Sequence, residues 1–237
     1  MRLNQGQNEE EKENLRKFAE WVLNIGDGKL APPTDSVTAV DEDSIMIPAD
    51  FCDPEIENSV KNMIEWTYPS FSTNFQNPSY LSERAIPTPT NVTVAHLNSN
   101  IVETIPGDQA SYYSVDRAEE FGGSESDLTF VGTKHFIPRM ELFPTETKLP
   151  FKLVRKQMPL QICYSMTINK AQGQSLERVG LYLPKSVFTH GQMYVAVSRV
   201  TSPQGLKMFI DSDQATPTDV TRNVVYKEIF YNLPKHQ

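Results

Sequence analysis

The sequence predicts an α/β fold built on a mostly parallel sheet, and three observations carry the prediction. Short apolar runs suited to buried strands occur at 160–164, 179–183 and 206–210. A Gly- and polar-rich turn separates the first two runs. Between the second and third, Phe188–Val200 sets Met193, Tyr194 and Val197 on one face of a helix. Strand, turn, strand, helix, strand, with both strand faces apolar, is the pattern of a parallel sheet covered by helices.

The remaining elements follow along the chain. Residues 9–25 predict an amphipathic helix, because Leu15, Phe18, Ala19, Val22 and Leu23 recur at three- and four-residue spacing. Gly26 and Asp27-Gly28 stop it. Residues 29–52, with Pro32, Pro33 and Pro48, read as a loop-rich connector. Asp53-Pro54-Glu55 predicts a helix start: a cap, a first-turn proline and an acid facing the dipole. Ile56, Val60, Met63 and Ile64 supply its buried stripe, and Tyr68-Pro69 ends it. Arg84–Pro89 reads as a short edge strand, followed by Thr90-Asn91 at the turn into a helix carrying Val94, Leu97 and Ile101. Residues 104–130 are polar with weak periodicity, and 135–162, with Pro138, Pro144, Pro150 and Pro159, predict small strands in an irregular module.

Composition narrows the function classes. The chain has 237 residues, 38% apolar, enough for a genuine core in one larger domain or two small ones. No apolar run approaches the roughly 18 residues that a membrane span needs. Cys52 and Cys163 read as reduced buried thiols rather than a disulfide framework. The acidic start (Glu9, Glu10, Glu11, Glu13) does not read as a signal or transit peptide. The net charge of -8 conceals a segregation: residues 1–130 hold 8 basic and 23 acidic side chains, whereas 131–200 hold 10 basic and 3 acidic. A polyanion would meet the 131–200 segment, although the same count fits a solvated basic face.

Two segments carry candidate chemistry. Ser165–Ser175 follows an apolar run and contains Gly173, which lets backbone N–H groups approach an anion. Thr167, Asn169 and Lys170 offer a hydroxyl, an amide and an ammonium suited to phosphate contacts, although an ordinary polar turn also fits. Thr189–Val200 ends an apolar helix on Arg199. That guanidinium either caps the helix, pairs with an acid, or projects toward a phosphoryl group as an arginine finger.

Taken together, Thr-Ile-Asn-Lys-Ala-Gln-Gly-Gln-Ser (167–175) and His-Gly-Gln-Met-Tyr-Val-Ala-Val-Ser-Arg-Val (190–200) resemble motifs V and VI of superfamily 1 DNA helicases. Phe136–Met140, Leu149–Lys152, Gly180–Pro184, Phe18–Gly28 and Pro89–Asn91 with Val94 and Asn98 narrow the resemblance to the Pif-type and Helitron helicases. It implies a RecA-like parallel sheet flanked by helices, of the P-loop NTPase type: the second motor domain of an ATP-dependent 5′-to-3′ DNA helicase acting in DNA repair, recombination or telomere maintenance. It implies ATP with Mg²⁺ as cofactors, single-stranded DNA as partner, and the nucleus as compartment. By matching position, Arg199 and Arg2 would point at the nucleotide as catalytic arginines. Gly173, Gln174, Ser175 and Gln192 would lie near the nucleotide, and Thr167, Asn169, Lys170, Thr90 and Asn91 would face DNA. No residue is assigned to a metal.

Departures from the family shape the rest of the expectation. The 237 residues contain no Gly-x-x-x-x-Gly-Lys-Ser/Thr. Val37–Asp43 resembles a strand ending in a magnesium acid pair, but it lies in a proline-flanked connector and reads as a loop. A glycine-rich β module is shortened between Leu128 and Lys134, which implies a truncated small β insertion. The expected organisation is a helical lead-in and connector over 1–83, the second RecA-like domain over 84–130 and 156–237, and the insertion remnant over 131–155. The chain alone is expected to lack ATP turnover, unless a second chain supplies the first RecA-like domain. The alternatives are a degenerate or transposon-derived binder of single-stranded nucleic acid, and an acidic domain whose basic segment pairs with its own acidic half.

Overall fold

The computed structural model describes residues 9–30, 32, 42–53, 59–108, 114–119, 138–143, 150–211 and 219–228. They fall into two compact units, one comprising 1–106 and 163–237, the other 107–162. In chain order the elements begin with α1 (Glu9–Asp27), β1 (Ser44–Met46), α2 (Ser59–Thr67), α3 (Phe71–Asn74), α4 (Pro78–Ser82), β2 (Arg84–Thr88) and α5 (Asn91–Glu103). There follow β3 (Val115–Glu119), β4 (Met140–Leu142), β5 (Lys152–Gln157), β6 (Ser165–Thr167), β7 (Arg178–Leu183), α6 (Gln192–Val197), β8 (Leu206–Ile210) and β9 (Val220–Arg222).

The larger unit is a parallel four-stranded sheet in the order β6-β2-β7-β8. Its strands sort their side chains by the two-residue period of a pleat. Val179, Leu181 and Leu183 of β7 enter one core, with Phe18, Val22 and Ile25 of α1, Ile168, Ala171, and Met193, Ala196 and Val197 of α6. Tyr182 of β7 enters the other, with Met63, Tyr68, Phe71, Leu97 and Ile101 from the α2, α3 and α5 side. Helices therefore cover both faces of the sheet, the layering expected of an α/β fold. A two-stranded antiparallel ribbon joins β1 to β9.

Local chemistry explains the helix limits. In α1, Gly26 lies inside the helix because the ring of Tyr194 packs where a side chain would stand. The stop falls at Gly28, whose φ is +64°, with the Lys29 N–H donating to the Asn24 carbonyl at 2.9 Å. Asn77 caps α4 by accepting from the N–H groups of Ser79 and Tyr80, with Pro78 at the first helical position. Thr90 caps α5 by accepting from the Thr93 N–H.

Several expectations are corrected. Arg84–Pro89 is not an edge: β2 lies between β6 and β7. Its Pro87 is tolerated because the ladder to β7 stops at Ala85, while the β6 side is paired at Ile86, Pro87 and Thr88. The first strand of the C-terminal half is Ser165–Thr167 rather than 160–164, and Leu160 stands 66% exposed. Ser165 can be buried in the sheet because its N–H and C=O both bond the Asn98 side chain and its hydroxyl donates to Ile86. The helix expected over Phe188–Val200 shrinks to Gln192–Val197, since Gly191 at φ +70° turns the chain and bonds the Val224 carbonyl. The 29–52 connector contains β1 and the weakly periodic 104–130 stretch contains β3.

The smaller unit is a three-stranded antiparallel sheet in the order β3-β5-β4. Its register sets Asp116 opposite Arg155, Glu119 opposite Lys152 and Glu141 opposite Lys156. This backbone register places basic positions of β5 opposite acidic positions of its neighbours. Arg2, Val37–Asp41, Pro54–Glu57, Lys148 and the whole 128–134 junction, Lys134 included, lie outside the described residues.

Candidate functional site

The site residues of the larger unit separate to the two ends of its sheet. At the carboxyl end, Thr88 ends β2 and stands in register with Thr167, which ends β6. Carboxyl edges of parallel strands are where ligands bind in open α/β sheets. After Thr167 the chain makes one 3₁₀ turn over 168–171. Burying Ile168 and Ala171, three residues apart, leaves Asn169 and Lys170 exposed. After Thr88, α5 starts with Asn91 exposed, and Val92 is 81% exposed beside it. The Thr90 hydroxyl is already committed, 2.9 Å from the Thr93 hydroxyl and accepting from the Thr93 N–H. Thr167, Asn169, Lys170 and Asn91 therefore share one edge with the free N–H groups of a helix start.

The 173–175 turn lies at the opposite end. Leu176 forms a parallel bridge with Val200, its N–H donating to the Arg199 carbonyl at 2.8 Å while the Thr201 N–H donates back to the Leu176 carbonyl at 3.1 Å. Arg178 then opens β7 against Arg84, the first residue of β2. This bridge brings two segments 24 residues apart into contact. The Arg199 Nη1 donates to the Gln174 carbonyl at 3.1 Å, Nε to the Val195 carbonyl at 2.9 Å, and Nη2 to the Ser198 hydroxyl at 2.8 Å. The guanidinium is half-buried, and among the described residues no carboxylate pairs with it. Of its five N–H donors, three are committed. The Nη1 edge thus lies against the turn with donors in hand for an anion. Gly173 beside it has φ +83° and nothing within 4 Å of where a side chain would begin.

Gln192 is not brought to that turn. It starts α6, whereas Arg199 lies two residues past the other end of that helix, and it is 2% exposed with its Oε1 accepting from the Phe188 N–H at 3.1 Å. Its amide braces the loop before the helix. Arg2 lies outside the described residues. Asn98 enters the sequence analysis only through the family resemblance and without a role; its side chain ties α5 to β6 and so fixes the spacing of the carboxyl-edge groups. Its one signal in the spacing was a polar residue at i+4 from Val94 on the apolar stripe of that helix.

A helicase family model, the herpes helicase family, matches residues 160–229. The ATP-dependent DNA helicase PIF1 of Rattus norvegicus is 50% identical over 56 residues, covering 24% of this chain and 9% of its own length. The ATP-dependent DNA helicase PIF6 of Trypanosoma brucei brucei is 34% identical over 101 residues, 42% of this chain and 12% of that one. The chain therefore spans a small part of the curated relatives it matches. Among solved structures, the Pif1 helicase of Candida albicans superposes with a TM-score of 0.52 at 16% identity, over 93% of this chain and 57% of that chain. That likeness shows the fold: a RecA-like parallel sheet flanked by helices.

Proposed function

We propose that the chain carries the C-terminal motif segment of a Pif1-type superfamily 1 helicase and is the second motor domain of an ATP-dependent 5′-to-3′ DNA helicase, inactive as a 237-residue chain by itself. The observation that carries the reading is the bridge between 173–176 and 199–201, which sets the Arg199 guanidinium against the Gln174 carbonyl. A cation held there complements a triphosphate, and positioned arginines stabilise charge on a phosphoryl group in flight. ATP would supply that group and Mg²⁺ would neutralise charge on it, with no residue of this chain assigned to the metal. Arg199 and the backbone of Gly173, Gln174 and Ser175 would face the phosphates. The open side of Gly173 fits this, since nothing stands within 4 Å of its missing side chain. Thr167, Asn169, Lys170 and Asn91 would contact single-stranded DNA through its phosphates, fixing position without reading bases. Work in DNA repair, recombination or telomere maintenance, in the nucleus, belongs to this reading.

A phosphate-binding loop is absent from the 237 residues, which favours as a second reading a binder of single-stranded nucleic acid with no nucleotide chemistry. Two measurements on the purified chain separate them. Oligothymidylate binding that weakens steeply with salt is expected on both readings, and no binding at low salt refutes both. Addition of the first RecA-like domain of a Pif1-type helicase should make that affinity ATP-dependent on the first reading and leave it unchanged on the second. ATP turnover by the chain alone would contradict the inactivity stated here.

A further inference from the structure

Binders of single-stranded DNA without sequence preference combine a cationic track with aromatic rings on which bases stack. The carboxyl-edge groups supply the track and no ring. The loop 184–191, which leaves the carboxyl end of β7, and the segment after β9 supply rings that the helicase reading leaves unused. Phe188 is 61% exposed and Tyr226 is 52% exposed. Two hydrogen bonds tie the 190–191 end of the loop to 224–226: the Gly191 N–H donates to the Val224 carbonyl at 3.0 Å, and the Tyr226 N–H donates to His190 Nδ1 at 3.0 Å. The His190 ring lies flat against Tyr226, with centroids 5.3 Å apart and planes 12° from parallel. Tyr226 is thereby a fixed, flat and exposed ring rather than a swinging side chain, which lowers the entropy lost when a base stacks on it. Lys185, three residues before Phe188, and Lys227, next to Tyr226 in the chain, are both exposed. The underlying fold keeps the platform in place, because the buried Gln192 side chain holds the Phe188 N–H and the buried Asn223 side chain donates to the Ile25 carbonyl of α1.

We infer that Tyr226, backed by His190 and accompanied by Phe188, is a base-stacking platform for single-stranded DNA whose phosphates lie along the same edge of the sheet. The inference rests on the DNA-binding reading above and adds what that reading lacks, a contact to the bases. Stacking is insensitive to salt, whereas phosphate contacts are not, and this separates the two.

The test measures anisotropy of fluorescein-labelled oligothymidylate with the full chain across a salt series. Tyr226→Ala and Phe188→Ala are each expected to weaken binding about tenfold with the salt slope unchanged. Lys170→Ala is expected to lower that slope by about one. Tyr226→Trp should keep the affinity and show indole quenching on binding that the parent chain lacks, a readout independent of any folding defect in the alanine variants. Wild-type binding with unaltered affinity in both alanine variants and no quenching in Tyr226→Trp would overturn the platform and leave the DNA-binding reading standing. No binding by the parent chain would overturn both.

Discussion

Cys52 and Cys163 carry the same thiol in two environments. Burial, and to a smaller extent the negative charge of Asp219, push the Cys52 thiol up to about 11. Cys163 is exposed. A thiol-disulfide reagent at pH 8 should therefore label Cys163 at once and Cys52 slowly, and two equally fast thiols would contradict the packing around Cys52. The fold holds the Cys52 proton more tightly than the unfolded chain does. Its stabilising contribution is complete below the ordinary thiol range, roughly pH 8.5, and fades as pH rises toward about 11. Cys52→Ala should flatten part of that alkaline decline in denaturant midpoint. Tyr68 and Tyr182, both raised first by burial, add losses of the same sign at higher pH. Arg199 was legible as a residue of interest because an arginine at the end of an apolar helix needs a partner. Its bond to the carbonyl of Gln174, across the turn, was not, since hydrogen bonds to backbone leave no trace in residue type.

At the scale of elements, close approach decides what each position tolerates. A side chain at Gly180 of β7 would collide with the Thr67 hydroxyl of α2, whereas one at Gly173 would meet nothing and incur only the strain of φ +83°. Gly180→Ala should cost about 1–3 kcal/mol by overpacking. Gly173→Ala should cost about 1 kcal/mol through backbone conformation alone. Urea midpoints check the order, and equal losses would contradict the packing of α2 on β7. Asn98→Ala removes the brace from α5 to β6 and strands both backbone groups of Ser165, and should lower stability by about 2–4 kcal/mol. Asn98→Asp should fare no better, because a carboxylate cannot donate to the Ser165 carbonyl. The long periodic helices were readable from their spacing. The strands were read less well. Leu160–Tyr164 is apolar by composition, yet the strand begins at Ser165, because Asn98 and Ile86 satisfy a buried serine that no local pattern marks. Pro87 suggested an edge, and only the ladder register shows which side of β2 can do without its N–H.

For the whole molecule, the division of charge was visible in the sequence and its disposition was not. The excess of cations over 131–200 reads as one polyanion surface, but the register of β5 sets Lys152, Arg155 and Lys156 opposite Glu119, Asp116 and Glu141. DNA affinity should accordingly depend on Lys170 more than on Lys156: Lys170→Ala should reduce the salt slope of binding by about one, and Lys156→Ala should leave it unchanged. The α/β class and the 167–175 and 190–200 pair were legible, because short motifs carry chemistry with them. Their joining through the Leu176–Val200 bridge is a long-range contact that only the fold provides. Among the described residues no helix is long and apolar enough to cross a membrane. The central claim is that Arg199 is presented to a triphosphate held by another domain. ATP turnover by this chain mixed with the first RecA-like domain of a Pif1-type helicase tests it most directly, with Arg199→Ala in parallel. The account predicts DNA-stimulated turnover by the mixture, none by the chain alone, and a loss of about 10³-fold or more in the variant. Equal turnover by the parent and the variant mixtures would contradict it.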